Sequence, residues 1–213
     1  VTVQVPEGFT SYHSMQVDLE KQLSGGWTFQ TGYVFSKTID GLSYLNAADA
    51  RPEKVISAQH KPHIWRLMAL WELPLAKRNR WLGGWQMQAL AFGQSGTPID
   101  FGNVLFRGDI GQLPLSNAQK TPDRMFNIDA GFERTNTRQL ASNVRRFPSR
   151  LARVTTDRAW NTDVSVLKNT TVREGVTVQF RAEAYNVFNQ HFFQGGVIAD
   201  PVNRAFGSTV SAT

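Results

Sequence analysis

The sequence predicts an all-β fold, an antiparallel meander of long hairpins that forms part of a large transmembrane β-barrel. Large or β-branched side chains occupy every second position of several segments, as in residues 27–35 (WTFQTGYVF), and successive strand residues point to opposite faces. The connections between these segments alternate between short and long, which is typical of outer-membrane barrels. No apolar run approaches the ~20 residues that a membrane helix needs.

The same alternation also fits a secreted β-sandwich, such as an adhesion or carbohydrate-binding module. In a sandwich, the apolar faces of two sheets pack on each other. In a transmembrane barrel, the apolar face contacts lipid and the polar face lines the lumen. Connection lengths favour the barrel, and the sandwich remains the alternative.

The first hairpin is predicted from residues 13–22 and 27–37. Methionine, valine and leucine alternate with polar side chains in the first segment, and aromatic residues alternate with small or polar ones in the second. Two glycines in residues 23–26 (LSGG) can supply the positive φ that a tight hairpin turn requires. A long polar connection, residues 38–62, follows this hairpin.

The second hairpin is predicted from residues 63–74 and 85–95. Tryptophan, leucine and alanine share one face of the first segment. In the second, Gln86 and Gln88 lie opposite an apolar face. Residues 75–84 form a basic turn between the two segments.

The third hairpin is predicted from residues 158–169 and 176–187, with a turn at residues 170–175. Its second segment alternates valine, phenylalanine and alanine with polar residues. A loop at residues 188–207 and the start of a seventh strand at residues 208–213 complete the chain. Six full strands cannot close a wide barrel, and an open sheet leaves two unpaired edges. We therefore expect the chain to be a partial barrel, whose other strands belong to a longer polypeptide.

The alternation assigns candidate residues to the two faces. Expected to face the lumen are Gln86, Gln88, Gln179, Arg181 and Glu183. Expected to face lipid, as an interfacial aromatic girdle, are Trp27, Phe29, Tyr33, Phe35, Trp85 and Phe180. Core packing in a sandwich and a solvated face with cross-strand charge pairs are the plainer alternatives for these two sets.

The longest connection, residues 99–157, carries much of the net charge of +6. Its basic residues are Arg134, Arg138, Arg145, Arg146, Arg150 and Arg153. Arginine binds phosphate oxygens with two parallel hydrogen bonds, so this loop could contact lipopolysaccharide phosphates or other anionic headgroups. Capture of an acidic substrate and a merely solvated loop remain open alternatives. No RNA-binding or zinc-finger pattern accompanies the charge, so nucleic acid is not expected as a partner.

The sequence offers no catalytic constellation, and no cofactor is expected. The absence of cysteine excludes disulfides, thiolate metal sites and cysteine nucleophiles. His60 and His63, with Glu53 and Asp49 nearby, match no tight metal-ligand spacing, and loop histidines are more often solvent-exposed. We therefore expect neither an enzyme nor a metal site.

Several stretches resemble the C-terminal barrel portion of TonB-dependent outer-membrane receptors, of the type with a carboxypeptidase-regulatory-like N-terminal domain. They are residues 11–17 (SYHSMQV), 32–40 (GYVFSKTID), 84–86 (GWQ), 94–98 (QSGTP), 178–189 (VQFRAEAYNVFN) and 203–208 (NRAFGS). Their order and spacing extend across nearly the whole chain, residues 1–213. Two elements of the family pattern do not occur within residues 1–213 and are expected elsewhere in the polypeptide: the C-terminal aromatic residue of the last strand and the N-terminal plug domain.

The resemblance implies a ligand-gated importer in the outer membrane. Such a receptor takes up a nutrient, for example an oligosaccharide, a peptide or a metal chelate. The implied partners are outer-membrane lipid, the remaining barrel and plug of the same polypeptide, and TonB, which would contact the missing N-terminal part. A structural outer-membrane component that has lost transport is a further alternative.

Overall fold

The computed structural model describes residues 7–75, 83–139, 143–193 and 195–210. The described residues form nine strands and two short 3₁₀ helices, at Ile110–Gln112 and Asn136–Arg138. The strands are β1 (Phe9–Ser24), β2 (Trp27–Gly41), β3 (Val55–Ile56), β4 (His63–Glu72), β5 (Trp85–Gln94), β6 (Pro98–Asp100), β7 (Arg150–Thr155), β8 (Ala159–Arg173) and β9 (Val176–Ala184). None of the described helices is long and apolar enough to cross a membrane.

Six long strands form one antiparallel sheet in the order β1-β2-β4-β5-β8-β9, which we call the main sheet. Each long strand pairs with the next long strand along the chain, so the sheet is a meander, as predicted. The short strand β3 pairs with the end of β2. Strands β6 and β7 pair separately and extend the hairpin made by β5 and β8.

Several strands are longer than the alternation predicted. Strand β1 begins at Phe9, which pairs with Gly41 at the end of β2, and β8 continues to Arg173. Backbone pairing continues through polar residues, because a ladder needs only main-chain groups. Strand β9 instead ends at Ala184 and Asn186 adopts a φ of 48°, although the Val187 N–H still donates to the Thr162 carbonyl of β8 (2.9 Å).

The short turns lie at one end of the main sheet. Gly25 and Gly26 have φ of 64° and 86°, which confirms the predicted role of glycine in the first of these turns. Gly175, in the last turn, also has a positive φ, of 77°. The predicted basic turn falls largely on residues 76–82, outside the described residues.

The long connections lie at the other end, where they pack on one another. The backbone N–H of Ser149 donates to Glu53 Oε1 (3.0 Å), and Arg150 Nε donates to the Ile56 carbonyl (2.7 Å). Thr209, in the segment predicted to begin a seventh strand, forms a bridge with Val197. Residues 211–213 of that segment lie outside the described residues.

The longest connection folds around a core of its own, although the sequence predicted only a long loop. We call the described parts of residues 98–155 and 195–210 the loop lobe. Ten buried hydrophobic side chains form the core: Ile99, Phe101, Val104, Leu113, Met125, Phe126, Phe132, Phe147, Val154 and Phe206. The phenylalanines meet mainly edge to face, for example Phe101 and Phe126 with ring centroids 5.2 Å apart. The lobe thus encloses an apolar core of its own, separate from the apolar face of the main sheet.

Candidate functional surfaces of the sheet and the loop lobe

The strand register divides the main sheet into an apolar face and a polar face. Tyr33 pairs with Val17 on one side and with Trp65 on the other, and Trp65 pairs with Gly93, which pairs with Trp160. Paired residues share a face, so this row crosses five strands on the apolar face. All six candidate lipid-facing residues lie on this face, and the five candidate lumen residues lie on the opposite face.

The end of the apolar face nearest the long connections carries an aromatic row, which we call the loop-end belt (Tyr33, Phe35, His63, Trp65 and Trp160). A hydrogen bond joins the Tyr33 hydroxyl and His63 Nδ1 at 2.6 Å. Trp65 and Trp160 stack with ring centroids 5.1 Å apart, although β5 separates their strands. They meet because Gly93 lies between them. A Cβ on Gly93 would stand 2.5 Å from the Trp160 ring.

A second aromatic group lies near the short turns, and we call it the turn-end belt (Trp27, Phe29, Trp71, Trp85 and Phe180). Trp27 stacks on Phe29 at 5.4 Å, and the Trp85 ring meets Phe180 edge to face at 6.2 Å. Most of the residues between the two belts are small or aliphatic, such as Ala69 and Ala89, which pair with each other.

Two lysines of the apolar face direct their amines toward the turn end. Lys21 Nζ donates to the carbonyls of Ser24 (2.9 Å) and Trp27 (3.2 Å), and it lies 4.2 Å from the Trp27 ring centroid. Lys168 Nζ donates to the Gly83 carbonyl (2.9 Å) and lies over Trp85. Long basic side chains reach in this way from an apolar surface to its polar edge.

The distance between the belts fits a membrane. Phe35 follows Trp27 by eight residues on β2, which is about 26 Å at roughly 3.3 Å per residue. A strand tilted by about 40° then spans about 20 Å along the membrane normal, close to the ~25 Å apolar band of outer-membrane barrels. We therefore propose that the two belts lie at the two membrane interfaces.

The polar face carries amides and one ion pair among the described residues. Gln88 Oε1 accepts a hydrogen bond from Ser165 Oγ (3.3 Å), and Gln179 Nε2 donates to Asn169 Oδ1 (2.9 Å). On β9 and just after it, Glu183 pairs with Arg181 and also accepts a hydrogen bond from the Tyr185 hydroxyl. Gln86 pairs in register with Glu72 and Leu167. This face is suited to water or a polar ligand rather than to a dry core.

The arginines of the long connection do not form one surface. Arg145 and Arg150 hold the lobe together. One Nη of Arg145 donates to the Gly102 carbonyl (2.9 Å), and Arg150 pairs with Asp100 (3.3 Å) in addition to its bond to Ile56. Hydrogen bonds from a charged donor are stronger than neutral ones, so these two are structural.

The other four arginines are exposed. Arg134 lies over the Phe206 ring at 5.4 Å, and Arg138 lies 3.9 Å from Glu133. Arg146 and Arg153 are exposed on the lobe surface. Only this part of the predicted basic set is thus accessible to an anion.

A buried lysine that no sequence pattern indicated joins the lobe to the segment that leads into the main sheet. Lys120 Nζ donates to the carbonyls of Thr155 (2.9 Å) and Thr156 (2.8 Å), where β7 leads into β8. Burial lowers the pKa of Lys120 below its ordinary value, and the nearby charge of Asp157 acts in the opposite direction.

The histidine and carboxylate residues considered as metal ligands are engaged separately. His60 Nδ1 accepts a hydrogen bond from the Thr38 N–H (3.2 Å), whereas His63 bonds to Tyr33. Glu53 binds Ser149, and Asp49 accepts from the Asn46 N–H (2.8 Å). Across the described residues, no group of three or more histidine, aspartate or glutamate side chains could hold a metal ion.

Comparison with known proteins identifies the family. A family model for the outer membrane beta barrel domain matches residues 1–213, the whole chain. No curated protein and no solved structure gives a significant match. With the open antiparallel sheet and its two aromatic belts already established, the chain belongs to the outer membrane beta barrel domain family, and its location is the outer membrane.

Proposed function

We propose that this chain is part of the barrel wall of a TonB-dependent receptor that imports a polar nutrient across the outer membrane. The observation that carries the proposal is the open sheet with a polar inner face. Strands β1 and β9 each have one unpaired edge within the described part of the chain. An unsatisfied backbone group costs several kcal/mol in lipid, so further strands must complete the wall. A barrel completed to roughly 16–22 strands, as in porins and outer-membrane transporters, then encloses a wide lumen lined by this polar face.

The side chains of the polar face agree with transport rather than catalysis. Amides such as Gln88 and Gln179 can both donate and accept hydrogen bonds, and the Arg181–Glu183 pair adds fixed charges of both signs. Such a surface suits an oligosaccharide, a peptide or a metal chelate passing through water. The plug and the TonB-contacting segment would come from another part of the same polypeptide, as the sequence resemblance implies.

Energy coupling distinguishes this proposal from a barrel with a purely structural role. Cells producing the full-length polypeptide should take up one class of labelled nutrient (oligosaccharide, peptide or metal chelate) that cells lacking it do not. Uptake should stop when TonB is removed or when a protonophore collapses the proton gradient. Uptake that continues without TonB, or a deletion strain with undiminished uptake of every class, would contradict the proposal and favour the structural role.

Two matched arginine substitutions test whether the polar face contacts the nutrient during uptake. Arg181→Gln removes a charge from the polar face, whereas Arg146→Gln removes the same charge from the lobe surface. We expect the first to change the KM of uptake and the second to leave it unaltered.

A further inference from the structure

A cavity of about 710 Å³ lies where the loop-end belt meets the loop lobe. Tyr33, Trp65 and Trp160 line it from the apolar face, and residues 114–117 line it from the lobe. In an outer-membrane barrel, the apolar face is the outside of the wall. The cavity therefore opens toward lipid rather than toward the lumen, at the height where headgroups meet water.

The cavity is positively charged. Lys120, Arg153 and Arg158 all line it, and no aspartate or glutamate does so among the described residues. Lys120 has its amine held at the cavity wall by the carbonyls of Thr155 and Thr156, so the two exposed guanidinium groups are the ones free to meet a ligand. Arg153 and Arg158 are exposed, and in the described part of the chain their guanidinium groups donate no hydrogen bond to protein. Their planar donors remain available for the oxygens of a phosphate.

The aromatic wall is suited to the remainder of an amphiphile. Trp65 and Trp160 stack on each other and both line the cavity, so the indole surface that the stack leaves uncovered lies beside the charged groups. Such faces accept the C–H surface of a sugar ring. Below them, toward the turn-end belt, the apolar face continues through Leu67 and Ala91, where acyl chains would lie. The volume is within the ~300–1,000 Å³ of ordinary ligand sites.

We propose that this cavity binds the phosphorylated sugar headgroup of an outer-leaflet lipid, namely lipopolysaccharide. Arg153 and Arg158 bind the phosphate, Trp65 and Trp160 pack on the sugar, and the acyl chains follow the apolar face. The site is distinct from the lumen, and it rests on the barrel's place in the outer membrane rather than on transport.

The test uses the full-length polypeptide, purified in detergent and stripped of lipid, with binding followed by native mass spectrometry. The probes are bisphosphorylated lipid A, dephosphorylated lipid A, the deacylated phosphorylated disaccharide and inorganic phosphate. The double variant R153Q/R158Q should bind lipid A at least about 10-fold more weakly than the unaltered protein, because it removes two guanidinium groups and the loss of a single charge-assisted hydrogen bond already has an effect of that size. Dephosphorylated lipid A should bind both proteins equally weakly.

The matched control is R138Q/R146Q, which removes two exposed arginines of the same lobe outside the cavity. It should bind lipid A as the unaltered protein does. Equal lipid A affinity in R153Q/R158Q and the unaltered protein would overturn the proposal. Binding of inorganic phosphate or of the deacylated disaccharide as tight as that of lipid A would also overturn it, because the cavity would then serve a soluble phosphate.

Discussion

In the loop lobe, Phe101, Phe126 and Leu113 are at most 1% exposed, whereas in the main sheet Leu19 and Phe180 are each 56% exposed. Both regions belong to one chain and have similar kinds of side chain. The lobe stands in water and must enclose its apolar groups. The sheet can leave them uncovered because lipid takes the place of a core. An exposed aromatic face is thus a liability in one region and a requirement in the other.

The two regions should therefore lose stability through different kinds of substitution. Burying a large apolar side chain from water stabilises a fold by roughly 1.5–3 kcal/mol, and this term acts in the lobe. On the lipid side of the sheet, truncation exchanges protein contact for lipid contact at little cost. A charge placed there, however, loses its hydration. Truncations should damage the lobe, and charges should damage the sheet.

The largest effect is expected from Phe126→Ala. This change empties part of the lobe core and should cost about 3–5 kcal/mol of local stability. Trypsin added to intact cells should then cut at the exposed Arg146 much faster than in the unaltered protein. Phe180→Ala, on the exposed apolar face, is the control and should leave the cleavage rate nearly unchanged.

The same experiment tests the orientation of the barrel. We expect the long connections outside the cell and the short turns in the periplasm, since that arrangement is the rule for outer-membrane barrels. Cleavage near Arg145 and Arg146 only after the outer membrane is opened would reverse this assignment.

The next-largest loss of stability is expected when a charge is placed on the apolar face of the main sheet. Ala89→Lys puts an ammonium between the two aromatic belts and should lower the free energy of unfolding in lipid by about 2–4 kcal/mol. Gln88→Lys, one residue away on the polar face, should cost far less because water can reach it. Urea unfolding of the full-length polypeptide in lipid vesicles measures both. Similar losses for the two variants would contradict the assignment of lipid and lumen faces.

A smaller effect concerns the Trp65–Trp160 stack. Gly93→Ala places a methyl group against the Trp160 ring and should separate the indoles, at a cost of about 0.5–1.5 kcal/mol. The near-ultraviolet circular dichroism of the paired indoles should weaken. Gly102→Ala is the control, since no heavy atom lies within 4 Å of its added Cβ. An unchanged spectrum in Gly93→Ala would show that the stack does not depend on the glycine.

The smallest effect is a pH dependence at the junction of the long connections. His60 is only 5% exposed, and burial, helped by the charges of Lys37 and His63, lowers its pKa below 6.5. The unfolded chain then binds the proton more readily than the folded chain. Stability contributed by neutral His60 is complete above pH 6.5 and is lost as the pH falls through the lowered pKa.

Hydrogen exchange of residues 55–60 should therefore accelerate below pH 6.5. In His60→Asn, whose side-chain oxygen can replace the acceptor Nδ1, that acceleration should be reduced. His191→Asn, at an exposed position, should behave like the unaltered protein. An identical pH profile in His60→Asn would remove His60 as the cause.

The sequence predicted the main sheet well because its signal is local. Alternation along each strand fixed which residues share a face, and paired glycines at Gly25 and Gly26 marked a turn. The ends of the strands were predicted less well. Pairing beyond residue 37 of β2 depends on a neighbouring strand that alternation within one segment does not reveal.

The sequence by itself determined the all-β class, the alternating faces, the short turns and the resemblance to outer-membrane receptors. Each of these depends on residues that are close together in the chain. Only the tertiary structure decided which residues separated in sequence come together. In the folded chain, Phe101, Phe126 and Phe206 pack in one core, and Trp160 stacks on Trp65 above Gly93. Two of the arginines stabilise the lobe, and the others are exposed. The physical reason is that contacts between strands and loops depend on register and on the packing of the lobe, and both arise from the whole chain at once.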